Sequence, residues 1–273
     1  MKIAVVSGRF DNLKSSEVRL LEEASKFGST YAFAWSDELI NYMDLQYPIF
    51  PLDERKYLLE GIRYIDHVHV VDQPFDPDTL PIINKKDTVT WVVDEVNNNL
   101  QKLQYCAKQG IKYFVVKEAE LKSFPNQQNL VIDASPHLKK VVVTGSFDWL
   151  HSGHFRFFEE AATLGELFVV VGSDRNVCLL KGEGHPLFSQ DERRYMVQSV
   201  RFVKQALISS GSGWMDAEPE IALIKPDMYV VNEDGDKPEK RRFCKEHNIE
   251  YIVLKRIPKE GLPKRESTRL RGF

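Results

Sequence analysis

Short apolar runs alternate along this chain with longer stretches in which apolar residues recur every three or four positions. Lys2 to Val6 is the first run and ends at Ser7-Gly8-Arg9-Phe10-Asp11. Val18, Leu20, Leu21, Ala24 and Phe27 then follow with helical spacing up to Gly28. The pattern predicts a strand, a loop, a helix and a glycine stop. Thr30 to Trp35 is the next strand candidate, closing on Ser36-Asp37, and Asp53-Glu54-Arg55 opens a helix after the turns at Pro48 and Pro51. His67 to Val71, Trp91 to Val93 and Tyr113 to Val116 supply further strands, the last two separated by a helical segment with Leu100, Leu103, Cys106 and Ala107. Strands alternating with helices predict a mostly parallel sheet covered on both faces.

From Lys139 the same order returns. Gly8 and Asp11 reappear as Gly145 and Asp148, and Ser36-Asp37 as Ser173-Asp174, all 137 positions on; Asp53-Glu54-Arg55 and Tyr113 reappear as Asp191-Glu192-Arg193 and Tyr251, 138 on. A register kept over more than a hundred residues predicts two copies of one unit. The fold class is therefore α/β, with two tandem Rossmann-like, doubly wound parallel-sheet domains. Polar and turn-forming residues concentrate in Lys122-Ser123-Phe124-Pro125-Asn126-Gln127-Gln128 and Asp133-Ala134-Ser135-Pro136. Domains of 1–135 and 136–273 follow, joined by a linker short enough to hold them against each other.

The chemistry points to the second copy. Val141-Val142-Val143 runs into Thr144-Gly145-Ser146-Phe147-Asp148-Trp149-Leu150-His151-Ser152-Gly153-His154, a strand feeding a glycine-bearing loop and then a helix start. Such a start offers unpaired N–H groups and a positive dipole end, and glycines let a ligand approach the backbone, so the stretch reads as a phosphate cradle. His151 and His154, three apart, share a helix face. Asp148 is open to two readings, N-cap of that helix or a group that orients the site. In the first copy Lys14 and Glu17 stand at the positions of the two histidines. A carboxylate there repels a polyphosphate, so the first copy is read as a degenerate, structural or regulatory domain.

Composition narrows the setting without changing the site. The 273 residues carry a formal net charge of -3, which gives no general attraction to nucleic acid. Three cysteines, Cys106, Cys178 and Cys244, have neither disulfide-framework nor zinc spacing. No apolar run approaches the ~20 residues of a membrane span, and Met1 to Ser7 turns polar too soon for a signal peptide. A cytoplasmic protein without an integral membrane segment is expected.

The second copy resembles the cytidylyltransferase-like nucleotidyltransferases, marked by H-x-G-H (His151-Ser152-Gly153-His154) after a G-x-F-D loop (Gly145 to Asp148). Lys181, with Pro186 and the Asp191-Glu192-Arg193-Arg194 helix start, looks like the family's middle segment, where a lysine and a downstream arginine region serve phosphate contacts. Arg265-Glu266-Ser267-Thr268-Arg269-Leu270-Arg271 resembles its closing signature, and Tyr229 to Gly235 sits where the family contacts base or ribose. The two-domain layout resembles that of ethanolamine-phosphate cytidylyltransferase.

The resemblance implies transfer of a nucleotidyl group from an NTP, CTP before ATP, to a small phosphorylated alcohol or sugar, with release of pyrophosphate. It implies His151, His154 and Lys181 as catalytic residues, and Gly145, Ser146, Phe147, Asp148, Gly153, Asn232, Arg265, Ser267 and Thr268 as nucleotide-binding residues. Mg2+ is expected as counter-ion, with its protein ligands undetermined. Histidine suits such a site because its charge changes near neutral pH. Two further expectations are an internal pseudo-dimer in which Arg55 or Arg63 of the first copy serves the active one, and a possible homo-oligomer. The alternatives are an adenylyltransferase of the same fold and a nucleotide-binding regulatory protein without turnover.

Overall fold

A computed structural model describes residues 1–72, 75–81, 87–127 and 131–270, apart from the side chains of 268 and 269. It divides into two compact units, Met1–Ser123 and Phe124–Phe273. The stretch after Phe124 packs with the second unit: Ser135 donates its backbone N–H and its hydroxyl to Glu166, at 2.7 and 2.6 Å. Gln128 of the expected boundary lies outside the described residues.

Unit 1 runs β1 (Lys2–Gly8), α1 (Ser15–Ser25), β2 (Ser29–Trp35), α2 (Asp37–Asp44), α3 (Leu52–Glu60), β3 (His67–Val71), β4 (Thr88–Asp94), α4 (Leu100–Gln109), β5 (Lys112–Val116) and α5 (Glu118–Leu121). Unit 2 repeats the alternation with β6 (Lys140–Gly145), α6 (Ser152–Ala162), β7 (Glu166–Val171), α7 (Asp174–Lys181), α8 (Gln190–Gln198), β8 (Val203–Ile208), α9 (Glu218–Ile224), β9 (Met228–Asn232), α10 (Pro238–Glu246), β10 (Glu250–Leu254) and α11 (Ser267–Leu270). Each unit has a five-stranded sheet, ordered β3-β2-β1-β4-β5 and, equivalently, β8-β7-β6-β9-β10. All described pairings are parallel.

The central strands are buried on both sides, which is why they read as unbroken valine-rich runs rather than alternating ones. In unit 2, Val142 packs in a cluster with Ile221 and Ile224 of α9 and Phe243 and Cys244 of α10. Val141 and Val143, also fully buried, point the other way by the strand's period of two. In unit 1, Ile3 and Val5 join Leu39 of α2 and Cys106 of α4 in the corresponding core. The order of strand addition reverses beside β6, which has β7 on one side and β9 on the other, and open α/β sheets bind ligands outside the strand ends at such a switch point. No helix among the described residues is long and apolar enough to cross a membrane.

The repeated dipeptides and the repeated arginine form one construction. Ser173 caps α7 by accepting from Asn176 N–H, as Ser36 caps α2 by accepting from Leu39 N–H. The adjoining carboxylates, Asp174 and Asp37, pair with Arg193 and Arg55 at 2.7 and 2.6 Å. Arg193 is 1% exposed. It donates to the carbonyls of Phe188 (3.0 Å), Ser146 (2.5 Å) and Gly172 (2.7 Å). Arg55 likewise donates to Phe50 O at 3.0 Å and Arg9 O at 2.6 Å. This corrects two expectations. Arg193 spends its donors on the fold rather than on phosphates, and Arg55 is buried inside its own unit, where its guanidinium is committed; Arg63 is exposed. Cys178 is exposed, whereas Cys244 is buried.

Replacing Arg193 by alanine strands several buried carbonyls at once. We expect a loss of about 3 kcal/mol or more in urea unfolding, with lysine recovering little because one ammonium cannot meet acceptors spread around a planar fork. A loss under about 1 kcal/mol would contradict this account.

Candidate active site

The cradle is built where β6 ends. Phe147 takes a left-handed conformation (φ 46°), as Phe10 does at the matching place in unit 1 (φ 49°). That turn drops the Phe147 ring beside Gly145, where a Cβ would lie 2.9 Å from it. Glycine is therefore required there sterically. The buried ring packs on Phe158 at 5.2 Å and meets the His154 ring edge-on at 5.5 Å.

Of the two readings of Asp148, the N-cap falls to another residue, and the aspartate acts on the loop that carries the site. It is 3% exposed, and its Oδ1 accepts from Leu187 N–H at 2.8 Å and Phe188 N–H at 3.2 Å, so it ties the loop to the segment preceding α8. Asp11 holds Ile49 and Phe50 in the same way, at 2.9 Å each. The N-cap of α6 is His151, whose Nδ1 accepts from Gly153 N–H at 3.1 Å. An acceptor Nδ1 leaves the proton of the neutral ring on Nε2.

The two imidazoles stack at 4.0 Å between centroids. His151 Nε2 and His154 Nδ1 are buried and have no hydrogen-bond partner. Burial, then His154 and the positive charges of Arg256 and Arg265, hold His151 far below the usual imidazole range. Burial, then Arg256 and Lys181, lower His154 to about 3. Both rings are thus neutral at physiological pH, which corrects the expectation of histidines titrating near neutrality.

Cationic groups surround them. Lys181 ends α7, and its Nζ donates to Ser146 Oγ at 2.7 Å. Arg256, missed individually in the sequence's basic tail, pairs with Asp234 at 2.8 Å and donates to Arg265 O at 2.9 Å. Gly153, Arg156, Asn232, Lys255, Arg256 and Arg265 line one cleft. A Cβ on Gly153 would come within 3.0 Å of the His151 ring and 3.8 Å of Arg265 O. Ser267, at the start of the four-residue α11, donates its hydroxyl to Trp149 O at 3.3 Å. The side chain of Thr268 and residue Arg271 lie outside the described residues. The fold thus gathers His151, His154, Gly145, Ser146, Phe147 and Lys181 around one loop, and Gly153, Asn232 and Arg265 in one cleft. It sets Asp148 behind them as an anchor.

In unit 1 the same place is filled by the chain itself. Lys14 is the N-cap of α1, and Glu17 reaches back to accept Lys14 N–H at 2.8 Å. Burial, reinforced by Asp11 and Asp94 and opposed by Lys14, raises the Glu17 carboxyl to about 7.

Comparison with known proteins agrees with this geometry. Residues 142–272 match the family model described as cytidylyltransferase-like. The chain is 34% identical over 126 residues to the FAD synthase of Ferroglobus placidus, covering 45% of this chain and 79% of that protein. It is 36% identical over 125 residues to the FAD synthase of Aciduliprofundum boonei, covering 45% and 80%. It is 37% identical over 119 residues to the bifunctional protein HldE of Campylobacter concisus, covering 43% of this chain and 24% of that one. The chain belongs to the cytidylyltransferase-like family and is a nucleotidyltransferase.

Two pH dependences follow. With both site histidines neutral in the free protein, kcat/KM for the nucleotide should show no histidine ionisation between pH 6 and 9. A break near pH 6.5 that disappears in His154→Asn would contradict this. For Glu17 the raised pKa favours folding below pH 4.5, a contribution lost as pH rises through about 7. Glu17→Gln should therefore raise the melting temperature at pH 8 and leave it nearly unchanged at pH 4.5.

Proposed function

We propose that unit 2 of this cytidylyltransferase-like protein transfers the nucleotidyl part of an NTP to a phosphate monoester, with ATP as the first candidate nucleotide. An oxygen of the acceptor phosphate attacks the α-phosphorus, the bond from that phosphorus to the bridging oxygen breaks, and pyrophosphate leaves with the electron pair. The observation that carries the reading is the pair of buried, unpartnered imidazole nitrogens at the start of an eleven-residue helix. Burying polar atoms without partners costs free energy, and a triphosphate laid against the helix start gives the His151 Nε2–H an acceptor.

The remaining roles follow from position. His151 and His154 lie on the nucleotide phosphates, His151 as a neutral donor. Lys181 spans nucleotide and acceptor phosphates, and its present partner Ser146 keeps it at the loop. Arg265 and Ser267 serve the outer phosphates, while Gly153 and Asn232 border the cleft for ribose or base. Such a site works by positioning and by stabilising charge that moves onto the leaving group. No three His, Cys, Asp or Glu side chains gather as a metal site among the described residues. Mg2+ is proposed as the counter-ion of the nucleotide phosphates.

The preference of ATP over CTP rests on relatives named FAD synthase, since FAD contains an AMP moiety joined to flavin mononucleotide through a phosphoanhydride. The acceptor is proposed at the level of a phosphate monoester, which includes both flavin mononucleotide and phosphorylated alcohols or sugars. Unit 1, whose helix start is occupied by Glu17, is proposed as a non-catalytic domain.

Pyrophosphate release should depend on NTP and acceptor together, with ATP supporting the fastest turnover. Replacing His151 or His154 by alanine should lower kcat at least ~100-fold, the scale for a lost transition-state donor. Unchanged turnover in both variants would remove the assignment, and faster turnover with CTP would reverse the order of nucleotides.

A further inference from the structure

A further charged group stands near the switch point. Lys240, on α10, is half-buried and, among the described residues, makes neither a hydrogen bond nor an ion pair; its Nζ lies 5.6 Å from the centroid of the Tyr229 ring. Burial lowers its pKa, and the nearby Lys237 adds to that. The carboxylates in its field, Asp216 first, have other direct partners: Asp216 accepts from Ser209 Oγ at 2.6 Å, Asp234 pairs with Arg256 and Asp236 with Arg241. A lysine in this state lacks full hydration and a directly bonded acceptor, and one aromatic face replaces neither.

Its position gives the deficit a direction. Tyr229 is fully buried, and its hydroxyl lies 2.6 Å from Thr144 Oγ, one residue before Gly145. Asp216 borders the same strand ends, since a Cβ on Gly172 would lie 3.5 Å from its Oδ2, and Gly172 N–H donates to Gly145 O at 2.9 Å. Lys240 therefore stands by the end of β6 on the face covered by α9 and α10. By strand alternation this is the face of Val142 and Thr144, opposite that of Val141 and Val143. Lys237, one turn earlier, lies 5.9 Å from the ring centroid of Trp214, which is 66% exposed.

We propose that Lys240, supported by Lys237, holds the phosphate of the acceptor at the end of β6, so that the two substrates meet over Gly145 from opposite faces of the sheet. The inference rests on the nucleotidyl-transfer reading of unit 2 and adds the acceptor subsite to it. Trp214 then forms the rim that the body of the acceptor meets. A phosphate at this point supplies the directly bonded anionic acceptor that Lys240 lacks, while the imidazoles stay with the nucleotide. Selection among phosphate monoesters falls to the Trp214 rim, because the phosphate contact is common to all of them.

The test uses the full chain with flavin mononucleotide and glycerol 3-phosphate as acceptors and ATP as nucleotide. Lys240→Met keeps an apolar stem on Tyr229, and Lys240→Arg keeps the charge; melting temperatures establish that both fold. With whichever acceptor the wild type uses, Lys240→Met should raise the acceptor KM at least tenfold and leave the KM for ATP within about threefold, with Lys240→Arg partly recovering the acceptor KM. An acceptor KM unchanged in Lys240→Met overturns the proposal while leaving the transfer reading intact. If the wild type turns over neither acceptor, the transfer reading loses support, and calorimetry of each acceptor in the presence of a non-hydrolysable ATP analogue decides the subsite. Binding that is lost in Lys240→Met upholds it, whereas equal binding in both proteins, or none in the wild type, overturns it. Should Lys240→Met fail to fold, Lys237→Met is held to the same criteria.

Discussion

The architecture of each unit depends on one buried guanidinium. Arg193 joins the loop after β6, the end of β7, the start of α7 and the approach to α8, and Arg55 joins the matching loop, helix start and helix approach in unit 1. These are segments that a parallel sheet leaves open at the ends of its strands, with carbonyls that no neighbouring strand can satisfy. A planar group with five donors can meet several of them together. Asp148 completes the clamp from the opposite side, accepting the amides of Leu187 and Phe188 while Arg193 takes the carbonyl of Phe188. The loop that presents His151 and His154 is thereby fixed before any ligand arrives, which is the condition for electrostatic preorganisation.

That clamp explains which features the sequence made legible. Ser36-Asp37 with Arg55, and Ser173-Asp174 with Arg193, recur at a constant offset because a cap, a carboxylate and an arginine must converge from three separate segments. Constant spacing is what a one-dimensional reading detects, so the two α/β units and their strands emerge from it. The helix start carrying two histidines was equally readable, being local in sequence. The division of labour among the charged residues was not. Arg193 lies in a run that reads as a phosphate-binding arginine region, and only burial reveals that its donors are consumed within the fold. Asp148 sits where an N-cap is expected, yet His151 caps the helix and Asp148 reaches across 39 positions to Leu187. Desolvation of the imidazoles depends on Phe147 folding back over Gly145, and no periodicity records that.

The two units also show how little separates an anion site from a closed helix end on this frame. Both have the strand, the left-handed phenylalanine, the anchoring aspartate and the buried arginine. In unit 1 the helix start is closed by its own Glu17, which accepts the Lys14 amide in the manner of a capping box. In unit 2 the same turn ends in imidazoles that satisfy one amide and leave two ring nitrogens without partners. One helix end supplies a carboxyl of its own, and the other has none. The difference is a matter of two side chains on a conserved scaffold within one chain, which makes unit 1 an internal comparison for unit 2.

Neutral histidines are an advantage in the active unit once the surrounding cations are counted. Lys181, Arg256 and Arg265 already place positive charge near the helix start, and two further imidazolium charges within 4.0 Å of each other would repel both one another and those groups. Keeping the rings uncharged avoids that repulsion in the free protein. A bound triphosphate reverses the sign of the local field and can raise the imidazole pKa values, so proton affinity and nucleotide affinity become linked at the same two side chains. The cations supply long-range attraction, and the imidazoles supply short, directional contacts whose charge responds to what is bound. A site composed of arginines alone would attract the nucleotide as strongly but would hold the same charge before and after pyrophosphate departs.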